Sequence, residues 1–108
     1  MEKTLREVCS VMGVSRRAVQ GYEKAGLVRA SGRNLRGYLL YDKAAQNRIE
    51  KIRMYQEFGF SIKEIKEYID APPDVLRLVL ESKLEKMKEE RARLERIVQE
   101  LERMINSI

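Results

Sequence analysis

The chain has 108 residues, no histidine, no tryptophan and one cysteine, which leaves one small domain with room for an appendage. It lacks most side chains used for acid–base catalysis near neutrality and for zinc binding, so neither an enzyme nor a metal or cofactor site is expected. Lys and Arg number 22 against 17 Asp and Glu, and the excess is local: residues 1–68 hold 14 basic and 8 acidic residues, whereas residues 69–108 hold 8 and 9.

The N-terminal "MEKTLREVCS" lacks the apolar core of a signal peptide. Thr4 and Glu7 have the spacing of a capping box, which opens a first helix. Leu5, Val8, Cys9 and Met12 then repeat at helical spacing, so one face is apolar and buried. Cys9 lies on that face and reads as a small core hydrophobe. Gly13 ends the helix.

Ser15 caps the next helix, which is expected to run to Gly26 with Ala18, Val19 and Tyr22 inward. Arg16, Arg17 and Gln20 are left to face out. Two short helices joined by a tight glycine-containing turn make a helix-turn-helix, whose second helix enters the major groove of DNA with its N-terminal residues toward the bases. Free N–H groups at that helix start favour phosphate, and the two arginines suit phosphate or guanine edges. Between Ser15 and Tyr38 six basic residues face Glu23 alone, an electrostatic footprint for a polyanion.

"LVRASGRNLRGYLLY" places short apolar pieces on either side of a Ser/Gly/Arg/Asn loop and reads as a small hairpin or wing. Arg29, Arg33 and Arg36 lie on or beside its tip. Asp42 caps a third helix with Ala45, Ile49 and Ile52 inward, closed by Gly59. Ser61 and Glu64 form a second capping box, and the fourth helix buries Ile65, Tyr68 and Ile69. "APPD" then breaks the chain.

From residue 75 one helical pattern runs to the C-terminus. Leu80, Met87, Leu94, Leu101 and Ile108 recur every seventh residue, and Leu76, Leu84, Ile97, Val98, Met104 and Ile105 fill between them. Such a stripe on a rod of roughly 50 Å is expected to pair with a second copy. Lys83, Glu90 and Arg91 interrupt the seam. The interface residues expected are Leu76, Leu80, Leu84, Met87, Leu94, Ile97, Leu101 and Met104. No apolar run approaches the ~20 residues of a membrane span, and one cysteine allows no internal disulfide. A soluble, cytoplasmic protein is expected.

In "LREVCSVMGVSRRAVQGYEKAGLV", "RGYLLYD" and "EFGFSIKEIKEYI", followed by the long helix, the chain resembles the MerR family of bacterial transcription regulators over essentially its whole length. The resemblance implies a mostly α fold: a winged helix-turn-helix domain over 1–70, a linker over 71–74 and a coiled-coil dimerisation helix over 75–108. The long helices would pair antiparallel to give a two-fold homodimer on double-stranded DNA. Such dimers bend and untwist a pseudo-palindromic promoter site, with deformation energies of order 1–6 kcal/mol offset by backbone contacts. The resemblance places Arg16, Arg17 and Gln20 on the groove-facing side of the second helix, and Ser15, which caps that helix, is counted with them as DNA-binding. It places Arg33, Arg36 and Tyr38 in the first wing, and Ser61 and Lys63 in a second wing with a phosphate contact.

Departures from the family pattern are Gln20 and Gly21, where it has an Arg or His and then an aromatic, and Leu39, where the wing commonly has Arg. Gly21 costs about 1 kcal/mol of helix stability relative to alanine. The sequence stops at Ile108 with no cysteine after Cys9, which reads as a regulator without a small-molecule effector domain, one whose signal a partner protein supplies, or a truncated chain. RNA polymerase or another protein stays open as a further partner. The alternative reading is a partner-controlled regulator or coiled-coil interaction protein with weakened DNA binding.

Overall fold

Backbone hydrogen bonding at the N-terminus sets the first junction. In the computed structural model, which describes residues 1–108, Lys3–Thr4 form a short strand, β1, and helix α1 follows at once over Leu5–Met12. Thr4 serves both elements. Its hydroxyl accepts from the Glu7 N–H while the Glu7 carboxylate accepts from the Thr4 N–H at 2.9 Å, the reciprocal box expected. That contact also holds the Glu7 carboxyl below its ordinary pKa. Val8 is fully buried, whereas Leu5, Cys9 and Met12 are only partly so. Strand β1 was not expected, because two residues are too few to display a period.

Helix α2 spans Arg16–Lys24 and stops short of Gly26. The reason is a two-bond helix end. The Gly26 N–H donates to the Glu23 carbonyl and the Leu27 N–H to the Tyr22 carbonyl, with Gly26 in the left-handed region at φ 78°. Tyr22 and Leu27 are both buried. Ala18 is half-buried, so Val19 and Tyr22 form the inward face.

The wing consists of β2 (Gly32–Arg33) and β3 (Leu39–Tyr41), in a three-stranded antiparallel sheet of order β1-β3-β2. Lys3 lies opposite Tyr41, and Gly32 opposite Leu40.

Helix α3 (Lys43–Glu57) starts on the Asp42 cap and buries Ala45, Ile49 and Ile52 as expected, with Tyr55 and Gln46 in addition. Gln46 is 3% exposed, and its amide donates to the Met1 carbonyl at 2.7 Å and the Tyr41 carbonyl at 2.8 Å. One amide thereby satisfies carbonyls of the N-terminus and of β3, whose orphaning would be costly. The end of α3 repeats the device used in α2: the Phe60 N–H donates to the Tyr55 carbonyl, and the two rings meet edge-on at 6.0 Å.

Helix α4 (Ile62–Tyr68) begins with the Ser61–Glu64 box. Ile65 and Ile69 are buried; Tyr68, expected inside, is half-exposed, because a helix this short turns only its central row fully inward. Arg48 of α3 ties this region together. Its Nε donates to the Leu27 carbonyl at 2.8 Å, and its two terminal nitrogens form a fork on Asp70 at 2.7 and 2.8 Å.

The chain divides into two compact units, Met1–Asp70 and Ala71–Ile108. The second is helix α5, Pro73–Asn106, which opens two residues ahead of the position expected. The prolines that read as a break lie at its start, where a missing N–H costs nothing and a fixed φ is already helical. No helix of the chain is long and apolar enough to cross a membrane.

Two outcomes test this account. Gly21 lies inside α2 with helical φ, and nothing lies within 4 Å of where a Cβ would project. Gly21→Ala is therefore expected to raise stability by about 1 kcal/mol in urea denaturation. The Arg48 fork holds the Asp70 carboxyl below its ordinary pKa. A depressed carboxylate stabilises the fold above its unfolded pKa, and that contribution disappears as pH falls through the folded value. Asp70→Asn should lower the melting temperature at neutral pH, with the gap to wild type closing below about pH 4.

Candidate nucleic-acid interface

The start of α2 is built to present donors. Ser15 Oγ accepts from the Ala18 N–H at 3.0 Å, and the Ser15 carbonyl accepts from the Val19 N–H at 3.2 Å. The N–H groups of Arg16 and Arg17 are left with no partner inside the chain, at the positive end of the helix dipole. Arg17, Gln20, Gly21 and Lys24 then follow at helical spacing as one exposed stripe, with Arg16 beside it. Lys24 was not among the residues expected, although its spacing from Gln20 and Arg17 carried that signal.

The opposite face is fixed by hydrogen bonds from phenols. Tyr22 Oη donates to Gln56 Oε1 of α3 at 2.6 Å. Tyr41 Oη of β3 donates to Glu23 Oε1 at 2.9 Å. Burial, then the Glu23 contact, pushes the Tyr41 phenol far above its ordinary pKa, so it stays a donor. The only carboxylate of α2 is thus engaged on the inner side, and its outer side carries positive charge alone. A hydrophobic pattern locates the inward face, but nothing in the sequence marks Glu23, Gln56 and Tyr41 as partners.

The wing turn is equally determined. The Asn34 N–H donates to the Tyr38 carbonyl at 3.0 Å and the Gly37 N–H to the Asn34 carbonyl at 2.9 Å. Asn34 Oδ1 accepts from the N–H groups of both Arg36 and Tyr38, each at 3.0 Å. Gly37 supplies the left-handed residue this turn requires, at φ 83°. The Arg33 guanidinium donates to the Gly37 carbonyl at 2.6 Å, which pins that side chain along the hairpin. Arg36 is exposed without an ion-pair partner, and Arg29 precedes β2 at the base of the hairpin.

Every residue expected at the interface is exposed: Ser15, Arg16, Arg17 and Gln20 on α2, Arg33, Arg36 and Tyr38 on the wing, and Ser61 and Lys63 at the start of α4. All belong to the first compact unit. Ser61 Oγ is occupied by the Glu64 N–H at 3.2 Å, yet its hydroxyl hydrogen remains to donate. No group of three or more His, Cys, Asp or Glu side chains is placed to hold a metal ion. On α5, Leu84, Met87, Leu94, Ile97, Leu101 and Met104 are exposed within the single chain, and Leu76 and Leu80 are half-buried.

Comparison with known proteins agrees with this geometry. Residues 3–72 match the model of the MerR HTH family regulatory proteins, and residues 46–104 match that described as MerR, DNA binding. The HTH-type transcriptional activator mta of Bacillus subtilis is 30% identical over 108 residues, covering 100% of this chain and 42% of that protein. The chain thus spans less than half the length of this relative. The crystal structure of MtaN, the N-terminus of the Bacillus subtilis multidrug transporter activator, aligns with a TM-score of 0.73 at 29% identity, covering 95% of this chain and 97% of that one. HiNmlR, a MerR family regulator lacking the sensor domain and solved bound to promoter DNA, shares the fold with a TM-score of 0.76 at 21% identity, over 92% of this chain and 80% of its own. From the family match over most of its length, and the helix-turn-helix, wing and long helix in that order, the chain belongs to the MerR family of helix-turn-helix regulatory proteins.

Proposed function

We propose that the chain binds double-stranded DNA as a two-fold homodimer and regulates transcription by deforming a pseudo-palindromic promoter site. The observation that carries this reading is the outer side of α2, whose only charges are cationic, anchored from behind and accompanied by the exposed wing arginines. In this reading Arg16, Arg17 and Gln20 face the major groove. Arg33, Arg36, Tyr38, Ser61 and Lys63 hold the phosphate backbone on either side. That HiNmlR, of the same fold, was solved on promoter DNA supports it.

The exposed stripe of α5 supports the dimer. Leu84 is 50% and Ile105 67% exposed in the single chain, and the stripe they belong to spans most of the helix. A second copy is the partner whose period matches. The charges beside the stripe bear on the direction of pairing. In heptad terms Leu80, Met87, Leu94, Leu101 and Ile108 occupy one core position, and Leu84, Arg91, Val98 and Ile105 the other.

Parallel pairing would set Arg91 against Arg91 in the core. It would also flank the core with Lys83 against Lys88 and Glu90 against Glu95. Antiparallel pairing removes the Lys83–Lys88 and Glu90–Glu95 contacts and moves the two Arg91 side chains into neighbouring core layers. It brings Lys88 to Glu95 of the partner subunit, and Glu81 to the partner's Glu102, when Arg91 lies level with the partner's Leu94. Arg91 has no ion-pair partner within its own chain, whereas Arg93 is bound to Glu90 at 3.0 Å. A charged residue at a core position specifies register and orientation at some cost in stability.

The first test is a binding isotherm across a salt series on duplexes selected by the protein from a random pool. Arg16→Ala/Arg17→Ala should weaken binding at least tenfold, at unchanged dimer mass. Unaltered affinity removes the groove assignment of α2. The second test is a spin-label distance at Ser107→Cys in a Cys9→Ser background. Antiparallel helices place the two labels roughly 40 Å apart, whereas labels side by side would establish a parallel dimer.

A further inference from the structure

The most exposed large apolar side chain outside the chain ends is Leu35, at 108% of its reference area, on the tip of the wing. Tyr38, 58% exposed, follows on the same turn, and Arg33 and Arg36 bracket the leucine. Nothing in the fold needs an apolar residue there. The turn is closed by the Asn34 backbone and side chain, by Gly37 in the left-handed region and by the Arg33 guanidinium on the Gly37 carbonyl. A polar residue at position 35 would leave each of those bonds in place. The tip is therefore a rigid mount that carries an isobutyl group outward between two cations.

We infer that Leu35 enters the DNA minor groove beside the segment faced by α2 and packs on the deoxyribose rings and base edges there. This rests on the DNA-binding reading above. Grooves alternate across each phosphate strand, so an element flanking a helix in the major groove meets first a row of phosphates and then the neighbouring minor groove. The bracketing arginines suit the phosphates. The surface between two phosphate rows is sugar and base edge, which accepts an apolar side chain and rejects a carboxylate. Apolar wedges of this kind occur among minor-groove binders, where they ease bending. Because the turn is already ordered, little conformational entropy is lost on contact.

An apolar contact releases no counterions, and that separates it from the arginines beside it. Anisotropy titrations of wild type, Leu35→Ala, Leu35→Met and Arg36→Ala across a salt series, on a duplex selected by the protein from a random pool, test the inference. Leu35→Ala should weaken binding roughly three- to tenfold with the wild-type salt slope, and Leu35→Met should retain most of the affinity. Arg36→Ala should weaken binding while lowering the slope by about one. Wild-type affinity in Leu35→Ala, or a slope that shifts as in Arg36→Ala, overturns the contact and leaves the DNA reading standing. Unchanged DNA affinity with reduced transcription by added polymerase overturns it too and assigns the tip to a protein. Absence of binding by the wild type overturns the DNA reading itself.

Discussion

Helix α2 is too short to exist alone. Nine residues with a glycine among them fall below the length at which an isolated helix persists in water, roughly 12–15 residues even for favourable sequences. Everything the molecule can present to DNA from this helix therefore depends on tertiary anchoring. Val19 and Tyr22 supply it by burial, worth roughly 1.5–3 kcal/mol for a large apolar side chain. The Ser15 cap and the two-bond end at Gly26 satisfy the termini, and the phenols of Tyr22 and Tyr41 fix the roll of the helix about its axis. With the roll fixed, the outward direction of Arg17, Gln20 and Lys24 is fixed as well.

Neutral and charged groups divide the work. The bonds that position α2 and the wing come mostly from amides, phenols, hydroxyls and backbone, together with the Glu23 carboxylate, the Arg33 guanidinium and the clamp of Arg48 on the Leu27 carbonyl and Asp70. Arg16, Arg17 and Arg36 have no ion pair within the chain and remain free to meet phosphates. Gln20 and Leu39 add no charge to this surface, so its positive charge comes from the arginines and Lys24. Gly21 has no close neighbour in the chain, so no internal packing demands it. Its cost is confined to α2 and is borne by the anchors behind it.

The second unit follows a different logic. Helix α5 is held by its own backbone bonds and by short-range pairs such as Arg77–Glu81 at 2.7 Å and Arg103–Glu100 at 2.7 Å, which contribute a few tenths of a kcal/mol each in water. Its apolar stripe is still exposed in the single chain. Length and period ask for a second helix, while Arg91 and the like charges beside the seam restrict how that helix can lie.

Much of this was legible in the residues. Caps at Thr4, Ser15, Asp42 and Ser61, the left-handed Gly13 and Gly59, the inward rows of α3 and the long helix are local or periodic signals, and the exposed faces followed by subtraction. What the sequence could not supply were relations between distant residues. Strand β1 exists only because β3 lies beside it; Gln46 reaches Met1 and Tyr41 across 45 and 5 positions, and Tyr22 reaches Gln56 across 34. Periodicity reports which face of an element is apolar, because that depends on the element alone. Which donor meets which acceptor depends on how the elements are assembled, and only the tertiary structure settles that.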